Sequence, residues 1–427
     1  MSTALDVVVV MLLCGSVAGA CYLVVATFAV RSFASGRADP RRLARPVSVL
    51  KPVCGLEPGL YENLRSFCEQ NHPGVQTVFA ARDADDPAIG VVRRLQRDLP
   101  EADITLVAGR APRATNFKVA NLMRAAEVAR HDVLVISDSD MRVGPDYLGA
   151  VTAPLADPEV GLVTCLYVGR PCGNLWSMLG AMFINYEFLP AVLVGRLTGA
   201  GDGCFGATIA LRRETLERVG GFAAFRNRLA DDYALGEAVR RLGRKVVLSS
   251  YLVDDIVYEP HLRTLFLHEL RWARTIRAIT PVKYAASAIT RPVGLAVIAA
   301  LLAGFTPETL WAMALALGCR ALMIGVMNRT LALKAPPLWL VPARELLSLA
   351  VLLLSFFGSR VTWRGTDFQA GPDGELLPAE GGREIVAEPE PYGGGRLGPF
   401  ARGLPDDEDG LAQPDLVEPL EGLYRRS

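Results

Sequence analysis

The segment "DVLVISDSDMRV", Asp132 to Val143, ends an apolar run on Asp138 and Asp140. Alternating residues of an extended chain point the same way, so the two carboxylates could share one hard cation. Such a cation takes one or two carboxylates and completes its shell with substrate phosphates and water. The competing reading is a plain turn, since Asp and Ser are turn formers. A diphosphate leaves only when its developing charge is met by a cation or by a Lys or Arg aimed at it. Lys118, at the head of "KVANLMRAAEVA", and Arg271, in "HELRW", are candidates for that task, and Lys51 is a third.

The elements that must position these residues run from residue 46 to 278. "PVSVLKP" reads as a short strand, "GLYENLRSFCEQ" as a helix, "VQTVFAARD" as a strand ending on Asp83, and "AIGVVRRLQRDL" as a helix. A strand at "ADITLV", the helix headed by Lys118 and the strand before Asp138 follow. This alternation predicts a parallel α/β sheet. Ligands of open α/β sheets bind beyond the carboxyl ends of the strands, where Lys51, Asp83, Asp86, Asp138 and Asp140 all fall. That coincidence favours the metal reading over the turn.

Apolar segments flank this domain. Residues 5–30 include an uncharged run, Val7 to Val30, long enough to cross a bilayer core that needs about 20 apolar residues. Arg31, Arg37, Arg41, Arg42 and Arg45 follow it, which predicts a cytoplasmic domain at a cell inner or plasma membrane. Residues 290–358 hold three further apolar stretches, interrupted by Arg320, Arg344 and Glu345, that fit two or three passes and leave the side of the tail open. Residues 366–427 are rich in Gly, Pro and acidic side chains, which predicts disorder. The segment Leu175–Leu197 carries Asn185, Glu187 and Pro190 at its centre and reads as an interfacial helix that receives a lipid, with a Gly-rich turn, Gly201 onward, beside the acceptor hydroxyl. Lys plus Arg equals Asp plus Glu at 45 each, so no nucleic-acid partner is implied. The eight cysteines show neither zinc nor disulfide spacing, and Cys204 reads as a packing residue.

In order along the chain, "VSVLKPVCGLEPGLYENLRSFCEQNHP", "ARDADDPA", "TNFKVANLMRAAEVARHDVLVISDSDMRV", "GGFAAFRNRLADDYALGEAV" and "HELRWARTIRA" resemble the ceramide glucosyltransferase family, which has bacterial members and a hopanoid-associated branch. The resemblance implies a GT-A nucleotide-binding, Rossmann-like catalytic domain with N-terminal and C-terminal transmembrane helices. It implies an inverting transfer of a sugar, glucose first, from a UDP-sugar to a lipid hydroxyl such as that of ceramide. A hopanoid acceptor with UDP-N-acetylglucosamine or another UDP-sugar is the nearest alternative, and a processive polysaccharide synthase a further one. It places donor-binding aspartates at Asp86 and Asp138, with Asp83 as an alternative uridine contact, and Mg²⁺ or Mn²⁺ at Asp138 and Asp140. Asp232 falls on the family's base, suited to taking the proton that an attacking hydroxyl must lose, while Asp231 reads as a helix cap. His268, Arg271 and Trp272 fall on the family's Gln/Arg-x-x-Arg-Trp, with His268 departing from its first position.

Overall fold

The computed structural model describes residues 3–35, 45–109, 112–199, 203–363, 366–371 and 374–378. In chain order the elements are α1 (Thr3–Ser35), β1 (Val47–Val53), α2 (Leu60–Cys68), β2 (Val75–Ala81), α3 (Ala88–Asp98), β3 (Asp103–Ala108), α4 (Phe117–Val128), β4 (Val133–Ile136), β5 (Met141–Arg142) and α5 (Tyr147–Thr152). Then come β6 (Val160–Pro171), α6 (Leu175–Phe183), α7 (Leu189–Leu197), β7 (Ile209–Arg212), α8 (Arg213–Arg218), α9 (Asp231–Arg241), β8 (Lys245–Val257) and α10 (Leu262–Ile279). The chain closes with α11 (Pro281–Ala286), α12 (Pro292–Ala303), α13 (Pro307–Thr330), α14 (Leu340–Ser355), β9 (Arg360–Trp363), β10 (Thr366–Ala370) and β11 (Leu376–Pro378).

An eight-stranded sheet in the order β3-β2-β1-β4-β7-β6-β8-β5 organises the domain. The first four strands are parallel, as the alternation predicts. β6 and β8 are parallel as well, and the sheet departs from that prediction at β7, which runs antiparallel between β4 and β6, and at β5, which pairs antiparallel with β8. The wholly parallel sheet fails because β7 follows an apolar helical segment rather than a crossover that would return it in parallel.

Period-two burial in β4 sets the site. Val133 and Val135 pack with Tyr147, Leu148 and Val151 of α5 on one face. Leu134 and Ile136 pack with Val119 and Leu122 of α4 and Leu235 and Val239 of α9 on the other. Helical spacing does the same work in α2, where Leu60, Leu64 and Phe67 are buried.

Among the described residues three helices are long and apolar enough to cross a membrane, Ala4–Ser35, Leu175–Leu197 and Pro307–Thr330, or four if the pair Pro281–Thr290 and Pro292–Ala303, bent by 71°, is one span. The charges that interrupt the apolar stretches answer one another. Arg320 Nε lies 2.7 Å from Glu345 Oε1, Arg344 forks onto Glu269 at 2.7 and 2.6 Å, and Arg291 Nε sits 3.0 Å from Glu187. Buried charges persist only when paired in this way. The span-like segment 175–197 is broken by a π-turn at Ile184–Phe188. There Asn185 accepts the N–H of Gly169 at 2.8 Å and donates to its carbonyl at 2.9 Å, docking the segment on β6.

Structure continues past residue 366, where disorder was expected. Strands β9 to β11 form a small antiparallel sheet whose Val361, Phe368 and Leu376 bury Leu229. Leu229 N–H donates to Gly374 and Leu376 N–H to Asn227. The composition misleads because these few apolar residues gain partners from a distant loop. The chain beyond α14 therefore packs against the loop that precedes α9. The rest of the expected tail, 379–427, and Arg37, Arg41 and Arg42 of the positive flank lie outside the described residues.

Candidate active site

The D-x-D segment is a turn here, with Ser137 to Asp140 outside any strand, so strict alternation lapses. Asp138 keeps the α4/α9 side. Its Oδ1 lies 2.6 Å from Lys118 Nζ, which is also 3.9 Å from Asp231 Oδ2. Lys118 is placed by the start of α4, where the N-cap Asn116 accepts the N–H of Val119 at 3.0 Å. The Asn116 amide also donates to Asp231 Oδ1 at 3.1 Å. Asp231 is thus the first residue of α9 rather than its cap, which is Ala230, and it serves as a partner of Asn116 and Lys118.

Asp232 completes this group. Its Oδ2 accepts the N–H of Gly206 at 2.8 Å and its Oδ1 the N–H of Tyr233 at 2.7 Å. Burial, then the neighbouring Asp231, push its carboxyl up to about 6, with Lys118 opposing. Gly206 is required by space: a Cβ there would stand 2.9 Å from Lys118 Nζ, 3.2 Å from Asp138 Oδ2 and 3.5 Å from Asp232 Oδ2. The preceding Phe205 is clamped by Thr164, whose hydroxyl accepts its N–H at 2.9 Å and donates to its carbonyl at 3.1 Å. The Phe205 ring meets Phe188 of the apolar segment edge-on at 5.5 Å, and Phe188 in turn lies 5.1 Å from Tyr167. Burial and the field of Asp255, Asp232, Asp140 and Asp138 keep the Tyr167 hydroxyl protonated.

Asp140 faces a different set. Its Oδ1 is buried without a hydrogen-bond partner, and burial with Glu57 and Asp138 nearby pushes its carboxyl up to about 7. Burial and the carboxylates of Asp140, Asp138, Glu57 and Glu259 hold Asp255 well above the usual range. An orphaned carboxylate oxygen beside Asp138 fits a hard cation, whose preferred donors are oxygens. Among the described residues no three His, Cys, Asp or Glu side chains already form a metal-ligating array.

Other candidates stand elsewhere. Lys51 is not at the diphosphate side: it is fully buried within β1, with Nζ 3.6 Å from the Phe67 ring, donating to the carbonyl of Asp138 and lying 3.5 Å from Ser137 Oγ. It supports the turn from beneath, and burial pushes it down to about 7. Asp86 turns one oxygen to the N–H groups of Gly55 and Ala88, both at 2.9 Å. Asp83 is exposed and 3.9 Å from Arg82. His268 Nδ1 sits 2.8 Å from Glu259 Oε1, with its ring 4.3 Å from Trp272, which stacks on Phe183. Burial chiefly, and Arg271, lower the His268 pKa against the pull of Glu259, so the ring is neutral at pH 7. Cys204 is buried with its thiol held protonated, in keeping with packing. The sequence reading missed Glu57, Tyr167, Asp255 and Glu259, while Gly206 falls in the Gly-rich turn that it placed beside the acceptor. The only local signal was the density of acids in "VDDIVYE" at the end of β8.

Comparison with known proteins follows this geometry. The family model described as glycosyl transferase family 21 matches residues 10–376. Ceramide glucosyltransferase 1 of Caenorhabditis elegans is 26% identical over 246 residues, 57% of this chain and 53% of the relative. The ceramide glucosyltransferase of Komagataella phaffii is 29% identical over 101 residues, 23% of this chain and 20% of the relative. The chain thus spans about half or less of the curated relatives' length. A mannosyltransferase from Pyrobaculum calidifontis, solved with GDP-Man and Mn²⁺, superposes with a TM-score of 0.50 at 21% identity, covering 83% of this chain and 99% of that one. That likeness shows the fold, an α/β GT-A domain with apolar helices at its N-terminus and toward its C-terminus.

Proposed function

This chain belongs to glycosyl transferase family 21, and on that premise we propose that it transfers a sugar, glucose first, from a UDP-sugar to the hydroxyl of a membrane lipid such as ceramide, inverting the anomeric carbon. The observation that carries the reading is the position of Asp232. Its carboxylate is held by Gly206, beside the Lys118–Asp138 pair, while the neighbouring Phe205 abuts the apolar segment 175–197. An anion-handling cluster and an apolar surface share one wall, which suits a phosphate donor from water and a hydroxyl delivered from a bilayer.

Asp232 takes the acceptor proton as the oxygen attacks the anomeric carbon and the bond to the diphosphate breaks on the opposite side. A carboxyl pushed up to about 6 is ionised at neutral pH yet more basic than an ordinary Asp. Asp138 and Asp140 would hold Mg²⁺ or Mn²⁺, and a cation bound there neutralises charge gathering on the departing diphosphate. Lys118 orients Asp138, and with Arg271 supplies positive charge to the donor; Asp83, Asp86, His268 and Trp272 complete the donor-binding set. Support for the lipid comes from relatives that bear the name ceramide glucosyltransferase, and for the cation from the mannosyltransferase solved with Mn²⁺. The arginines after α1 favour a cytoplasmic domain at the inner or plasma membrane.

The test is transfer of label from UDP-glucose or UDP-N-acetylglucosamine into the organic phase by the full-length protein in liposomes, with ceramide or a hopanoid polyol supplied. Inverted glycolipid from one pair, abolished by EDTA and restored by Mn²⁺ or Mg²⁺, is expected. Label that stays aqueous with every pair, or a product of retained configuration, refutes the reading.

A further inference from the structure

Asp255 lies on β8 opposite Met141, the residue after Asp140, and the N–H of Ile256 donates to the Asp140 carbonyl at 3.0 Å. Asp255 is 7% exposed, and its carboxylate has no hydrogen-bond or ion-pair partner among the described residues. The charges facing it, Asp140, Asp138, Glu57 and Glu259, are all negative. Asp140 Oδ1 is itself a buried oxygen without a partner.

The neighbouring basic side chains among the described residues are already engaged. Lys51 spends its Nζ on the Asp138 carbonyl and Ser137, and Lys118 is paired with Asp138 and Asp231. Arg170 is taken by Asp254 at 2.8 Å, and His268 by Glu259. Burying a carboxylate without a counter-charge costs several kcal/mol, on the order of the whole gain from a good ion pair. A divalent cation removes that cost for two or three carboxylates at once.

We propose that Asp255 is a third carboxylate for the divalent cation assigned to Asp138 and Asp140, an inference that rests on that cation reading. Because the side chains do not yet form a finished array, cation binding draws the three carboxylates together. Glu57, which accepts a hydrogen bond from Ser139 Oγ at 3.2 Å, steadies the far side of that turn and is not itself required.

The test uses full-length protein in detergent and measures loss of the free Mn²⁺ electron paramagnetic resonance signal, with UDP affinity and melting temperature recorded in parallel. Asp255→Asn keeps size and relieves repulsion, so the metal-free variant should melt no lower than the parent while Mn²⁺ affinity falls about 10- to 100-fold, the range typical of disturbed metal sites. Asp140→Asn should weaken Mn²⁺ at least as much. If Asp140→Asn loses Mn²⁺ while Asp255→Asn binds it like the parent, Asp255 is no ligand and the cation stays with Asp138 and Asp140. If the parent binds no Mn²⁺ with or without UDP, both assignments fall. Should Asp255→Asn fold poorly, Asp255→Ser carries the same test, since it too removes the charge.

Discussion

Replacing Gly206 by alanine tests the site through space alone. Gly206 does not adopt a left-handed backbone, so alanine is allowed by its dihedrals. The added methyl would nevertheless stand 2.9 Å from Lys118 Nζ and 3.2 Å from Asp138 Oδ2. The lysine tip cannot retreat freely, because it is held 2.6 Å from Asp138 Oδ1. Either that pair opens or the loop moves, and the loop carries the N–H that positions Asp232. A displacement of about 1 Å in a catalytic arrangement costs about 10²-fold in rate, equivalent to about 2.7 kcal/mol at ~1.36 kcal/mol per tenfold. Overpacking one methyl costs about 1–3 kcal/mol of stability where neighbours are fixed, and the lower end applies here because Lys118 and Asp138 keep some exposure. Turnover of UDP-sugar with saturating lipid should therefore fall about 10²-fold while the melting temperature drops only slightly. Gly90→Ala is the control. Nothing lies within 4 Å of its Cβ on α3, so activity should hold and stability rise by up to about 1 kcal/mol. Gly206→Ala turning over within three-fold (roughly one-quarter of that expected loss in free energy) of the parent would refute the placement of Lys118, Asp138 and Asp232 around this residue.

The other expectations follow from single contacts. Asp232→Asn should lower kcat by about 10² to 10⁴ while UDP affinity, read by calorimetry, stays near the parent's; equal loss of both would make Asp232 a binding residue. The base works deprotonated, so with its carboxyl pushed up to about 6 kcat/KM should rise with pH through about 6, and a limb nearer 4, the value of an ordinary Asp, would place the base elsewhere. Arg344→Met leaves Glu269 without its partner and Glu187 with Arg291 as its one remaining ion-pair partner among the described residues, which should cost about 3–5 kcal/mol in detergent unfolding, with part recovered on adding Glu269→Gln; an unchanged melting curve would refute the pairing. Leu376→Asp puts a charge into the cluster around Leu229 and should reduce turnover by freeing the loop before Asp231, detectable as faster hydrogen exchange at 226–230.

The amino-acid sequence by itself determined the local elements and the order of the motifs. An apolar run of Val7 to Val30 can only be a long buried or membrane helix, and the pattern in "VLVI" can only bury both faces of a strand. Such signals are short-range, because periodicity and turn chemistry act within a few residues. Even the side taken by Asp138 follows from the parity of Leu134 and Ile136. Tertiary structure alone decided the rest. The hold of Gly206 on Asp232 spans 26 residues, the pairing of Arg344 with Glu269 spans 75, and the packing of Phe368 and Leu376 on Leu229 joins the end of the described chain to the loop before Asp231. The same holds for Lys51: its type suggested a phosphate contact, but its place in the central strand over Phe67 buried it beneath the turn. A side chain's charge is local, whereas the field and partners that give that charge a function are set by segments which meet only when the sheet is assembled.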